Sequence, residues 1–160
     1  MNTVELLQYS LGFAFDVLGQ VTADLTQEQA NWTPPGVASS IGAIYSHTIT
    51  YLDFVVQKIC IGQNFSLFVP GEPPPPETAM QDVQVDDLPA LHERARNVRV
   101  AAQDWLSSLT PADLQVRRET SIGELAVGQF FEAYIIWHIN VHCGEISALK
   151  GCQGAKGYPF

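Results

Sequence analysis

The chain reads as an all-α protein: a four-helix bundle with a long proline-rich connection between its second and third helices. Three observations predict this. Apolar residues recur at helical spacing in long stretches near both ends and in the middle of the chain. No segment shows sustained period-two alternation over strand length. Breakers such as Thr33-Pro34-Pro35-Gly36, Gly62, Pro73 to Pro76 and Gly151 fall between the stretches. With 160 residues, 46% of them hydrophobic, residues 1–160 supply one full core and form a single domain.

The first helix is predicted over 3–24, where Leu7, Leu11, Ala14, Leu18 and Val21 make one stripe. Thr26, with Gln29 as its capping-box partner, opens a short turn. Ser39 or Ser40 caps a second helix over 40–61, with Ile41, Ile44, Thr48, Tyr51, Leu52, Val55 and Ile59 facing the core. Residues 63–85 are a connection that cannot be helical through its prolines, and a crossover between parallel helices needs such a tether. Asp86 or Asp87 caps a third helix over 87–108. Thr110-Pro111 repeats the cap chemistry, residues 115–119 form a polar link, and Thr120 or Ser121 caps a last helix over 122–150. The two halves share a plan, helix, capped turn, loop and capped helix, although Gly128 stands in the second half where His47 stands in the first.

Charge and composition exclude some functions. A net charge of −9, with only 8 scattered Lys and Arg, is wrong for a nucleic-acid surface. The first residues carry Glu5 and Asp16 and no basic cluster, so neither a signal peptide nor a membrane span is expected there, and a cytoplasmic location follows as an expectation. Cys60, Cys143 and Cys152 are odd in number and lack CxxC spacing, which points to free thiols.

The histidines are the informative residues. His138 and His142 lie one turn apart on an apolar stripe of the last helix, and His47 sits beside the stripe of the second. Two imidazoles on one helix face form a bidentate clamp for a transition metal once a third ligand arrives. Burying them without partners costs several kcal/mol, roughly, in lost hydration. His92, next to Glu93 and Arg94, reads as a surface residue.

The stretches Ser40-Ile41-Gly42-Ala43-Ile44-Tyr45-Ser46-His47 and His138-Ile139-Asn140-Val141-His142-Cys143-Gly144-Glu145-Ile146, with Leu25-Thr26 and Asn31-Trp32-Thr33-Pro34 before them, resemble the DinB/YfiT-like family of metalloenzymes. The resemblance implies a four-helix bundle of unusual connectivity and a divalent metal, zinc or nickel, held by His47, His138 and His142. Glu145 stands where many relatives carry Gln, and the proline run is not a family feature.

Three imidazoles leave a metal an open position, the pattern of a catalytic site. That position can activate water or a thiol. Glu145, three residues beyond His142, is a candidate catalytic residue: a fourth ligand, a hydrogen-bond acceptor behind a ligand, or a base, set against a plain exposed glutamate. Some members of the resembling family transfer low-molecular-weight thiols, so a thiol S-transferase acting on small molecules is the first expectation. A metal-dependent hydrolase and a non-catalytic metal- or ligand-binding homodimer are the others.

Overall fold

The structure, a computed structural model, describes residues 1–65, 83–120 and 123–158. Helix α1 spans Thr3–Thr22 and α2 spans Gln27–Asn31. Helix α3 spans Ile41–Phe54 and runs on as a π-helix over Val55–Ile61. Helix α4 spans Leu88–Ser107. A hairpin of β1 (Arg117–Thr120) and β2 (Gly123–Ala126) leads into the last helical stretch. That stretch is α5 (Val127–Phe131), a π-helical segment (Glu132–Ile136) and α6 (Trp137–Cys152).

Local chemistry sets the helix starts. Asn2 and Glu5 form a reciprocal capping box, and Thr26 and Gln29 form another, each side chain accepting from the other's backbone N–H. Ser40 Oγ accepts from Ala43 N–H at 3.1 Å, and Asp87 Oδ1 accepts from Ala90 N–H at 2.9 Å. Gly42 is required by proximity: a Cβ there would lie 2.9 Å from the Ala30 carbonyl oxygen and from the Val85 side chain. The same junction is tied by Asn31, whose amide bonds both the N–H and the carbonyl of Val85, and by Gln27, which also donates to that carbonyl.

The apolar stripes meet in one core. α1 packs against α4 and α6, and α3 packs against the same two helices. Leu11, Leu18, Ile49, Leu52, Ile59, Leu106, Phe130, Phe131 and Ile135 are fully buried in it, each worth about 1.5–3 kcal/mol relative to exposure. Lys150, 2% exposed, fastens the end of α6 to the end of α1 by donating to the Val21 carbonyl and the Asp24 carboxylate. The Lys150 hydrogen bond holds the Asp24 carboxyl below its ordinary value.

Two expectations are corrected. The last helix begins at Val127, not at residue 122, and its first residues belong to a hairpin that pairs Arg117 with Ala126 and Thr120 with Gly123. Thr120 is not a helix cap, because its hydroxyl donates to the Gly123 carbonyl at 2.6 Å. Gly123 takes φ +106°, a left-handed conformation that favours glycine and turns the chain out of a helical path. The side chain of Gln129 caps the helix instead, accepting from Ala126 N–H at 3.0 Å. The second correction is that the second and last helices are not uniform α-helices, since each contains a π-helical segment. The proline run Pro73 to Pro76 lies outside the described residues. No helix among the described residues is long and apolar enough to cross a membrane.

Candidate metal centre

The contact between α3 and α6 brings three histidines together. His47 lies between Ile44 and Tyr51 on α3, and His138 and His142 lie one turn apart on α6. One nitrogen of each ring falls within 4.8 Å of the other two, a spacing that lets a single ion touch all three. The ring centroids of His138 and His142 are 4.4 Å apart, and His47 stands 5.3 Å and 5.1 Å from them. Tyr51, one turn beyond His47, stacks on His138 with centroids 4.0 Å apart and planes 21° off parallel, which limits rotation of that imidazole.

Glu145 completes the surroundings of the cluster. Its Oε2 lies 2.6 Å from Nδ1 of His142, a ring only 6% exposed. A carboxylate behind an imidazole fixes its orientation and tautomer and raises its basicity as a ligand. With Nδ1 so engaged, Nε2 is the nitrogen His142 has left to offer.

His138 is electrostatically prepared to donate a lone pair. Burial, with His142 and His47 close by, pushes its pKa down to about 3, so the ring is neutral across the physiological range. Its Nε2 is buried and makes no hydrogen bond among the described residues. An unmet buried polar atom costs about 1–3 kcal/mol, and a metal ion removes that cost. Three neutral imidazoles are a donor set suited to a borderline divalent transition ion, so the residues fit the metal expected of them.

A cleft of about 750 Å³ opens onto the cluster at His138. Leu7, Tyr51, Ala133, Tyr134 and Trp137 give it apolar and aromatic walls, Gln129 and Glu132 give it polar ones, and no Lys or Arg among the described residues lines it. The sequence reading missed Gln129, Glu132 and Trp137. The available signal was two polar residues interrupting an apolar helix, followed by a tryptophan beside His138 that proves to be 61% exposed.

The remaining candidates separate clearly. His92 is half-buried, not a surface residue: its Nδ1 lies 3.0 Å from the Tyr45 hydroxyl, and it is not part of the cluster. Cys143 faces the core, where burial pushes its thiol up to about 12, so it is not a ready thiolate. Cys60 is displaced in the same direction for the same reason. Cys60, Cys143 and Cys152 are all free thiols.

A helical protein with three histidines gathered at the head of a cleft is thus the class that fold and site define. The sequence profile of the DinB superfamily matches residues 11–146, a span that includes all three histidines and Glu145. The chain belongs to the DinB superfamily. Among curated proteins none matches the chain.

Proposed function

We propose that His47, His138 and His142 bind a divalent transition metal, zinc or nickel, and that the protein is a metal-dependent enzyme transferring a low-molecular-weight thiol to a small electrophile. The observation that carries this reading is the cluster itself: three ligand atoms within 4.8 Å, in a site where His138 also has a buried Nε2 with no hydrogen-bond partner among the described residues. When bound, such a metal supplies a Lewis-acid position that lowers the pKa of a thiol or water beside it.

The chain's own residues account for the rest of the site. Glu145 orients His142, Tyr51 restrains His138, and the aromatic walls of the cleft give an apolar electrophile a place away from bulk water. Among the described residues Glu132 is the one charged group lining the cleft, which favours neutral or cationic reactants over polyanionic ones. Hydrolysis with Glu145 as general base is the weaker reading, because that carboxylate is engaged with His142.

The same proposal takes the protein as a four-helix bundle. It also takes it as cytoplasmic, a reading supported by three free thiols, and as a homodimer pairing through the exposed Leu6, Tyr9 and Phe13 of α1.

The test uses protein loaded with zinc or nickel, 2-mercaptoethanol as a neutral thiol, and 1-chloro-2,4-dinitrobenzene as electrophile. The thiol sulfur replaces chloride on the ring, with release of chloride and a proton. Metal-dependent turnover that disappears in His138→Ala is expected. A rate equal to the uncatalysed one, with neutral and anionic thiols alike, overturns the transferase reading while leaving metal binding to be judged by metal content.

A further inference from the structure

We infer that a second ligand site lies across α3 from the histidine cluster, and that it takes a small organic monocarboxylate with an aromatic or compact apolar body. The inference does not depend on the metal reading.

A cavity of about 380 Å³ lies between α1, α3 and α4, within the range of about 300–1,000 Å³ that small-molecule sites occupy. Tyr45, which lines it, is two residues before His47, so the two side chains leave α3 on nearly opposite sides. The cavity is therefore not an extension of the cleft at His138.

Its walls divide by chemistry. Phe15 and Leu18 of α1, with the Tyr45 ring, make an apolar floor. Along α4, His92, Arg96 and Arg99 follow one another at helical spacing and supply the polar rim. Arg99 is committed, with its guanidinium 2.7 Å from Asp16. His92 is committed through Nδ1 to the Tyr45 hydroxyl. Arg96 makes no hydrogen bond or ion pair among the described residues, and it stands beside an apolar cavity in a chain with 17 acidic residues to pair with.

One uncommitted guanidinium calls for one negative charge. Carboxylate matches it in geometry, since the guanidinium fork donates two parallel hydrogen bonds to the two oxygens. The aromatic floor calls for a flat or compact apolar body attached to that carboxylate.

Gly19 strengthens the case. It lies inside α1 and lines the cavity, and a Cβ built on it meets nothing within 4 Å. An interior helix glycine costs about 1 kcal/mol relative to alanine, so what stands at this position is open space kept at some cost to the helix.

The experiment titrates the protein with 1-naphthoate and with its neutral amide, 1-naphthamide, by calorimetry and ligand-observed NMR, both zinc-loaded and after chelation. One saturable naphthoate site is expected, at least about tenfold tighter than for the amide. Arg96→Gln, an exposed substitution, should weaken naphthoate by about tenfold or more and leave the amide unchanged. Gly19→Leu should fill the cavity and abolish binding of both compounds while the melting temperature holds or rises. Chelation should change nothing. Equal binding of acid and amide, unaltered binding in Arg96→Gln, no saturable binding at all, or loss of binding on chelation each overturns the site, the last by assigning the carboxylate to the metal.

Discussion

His138 and His92 both sit half-buried on helical stripes, and α3 presents an aromatic ring to each. Tyr51 stacks on His138, whereas the hydroxyl of Tyr45 meets Nδ1 of His92 at 3.0 Å. The difference lies in what becomes of the ring nitrogens. His92 has a protein partner and belongs to the packing between α3 and α4. His138 has two other imidazoles as neighbours and a buried Nε2 that no described residue bonds. Burial alone does not single out a ligand histidine. The useful question is where each buried nitrogen finds its hydrogen bond or its metal.

The sharpest way to break this comparison is metal content. Elemental analysis of His138→Ala is expected to show loss of most bound divalent metal, while His92→Ala keeps the wild-type stoichiometry. Retention in the first variant, or loss in the second, would reverse the roles given to the two rings.

Acid should separate them next. In the metal-free protein, burial holds His138 at about 3 against an ordinary 6.5, so the unfolded chain binds a proton that the folded chain refuses between those values. Stability therefore falls as pH drops from about 6.5 toward about 3, by roughly a few kcal/mol in total. His92 shifts in the same direction, through burial and the neighbouring Arg96. Denaturant titrations of the metal-free protein at pH 7 and pH 4.5 should show the loss. His138→Leu should flatten the pH dependence more than His92→Leu does, and the opposite ranking would count against the burial argument.

The smallest effect concerns Glu145. Glu145→Gln keeps an acceptor for the N–H of His142 but removes the charge behind the ring. Metal affinity measured by competition with a chromophoric chelator should fall by about tenfold. Glu145→Gln should leave the Tyr45–His92 pair untouched, and so also the stability of the chelated protein. An unchanged affinity would make Glu145 a bystander.

Much of this was legible in the sequence, for reasons that can be named. The helix starts at Thr26 and Ser40 follow from side chains that bond the backbone within three residues. The pairing of His138 with His142 follows from one turn of helix, and His47 was legible because it sits beside the core-facing stripe of its helix, in a stretch that carries the family resemblance. The hairpin was not, because Arg117–Thr120 and Gly123–Ala126 each bury only their last residue and so show no alternation. Nor was the Tyr45–His92 bond, which joins residues 47 apart in the chain and depends on how α3 meets α4. The role of Glu145 stayed open for the opposite reason. Its spacing from His142 allowed several geometries, of which the structure has the one with Oε2 2.6 Å from Nδ1 of His142.

The π-helical segment at Glu132–Ile136 bears on how this cleft is inherited and altered. A π turn bonds each residue to the fifth one on, where an α turn uses the fourth. Glu132 with Trp137, and Ala133 with His138, are pairs at that wider interval, and all four line the same cleft. Removing one residue from the segment would restore the ordinary turn and swing everything before it by about 100° relative to α6. Gln129 and Glu132 would then leave the cleft, while the spacing of His138 and His142 stayed as it is. Loss of a single codon here would thus change which polar side chains face the cleft while leaving the histidine pair of α6 intact.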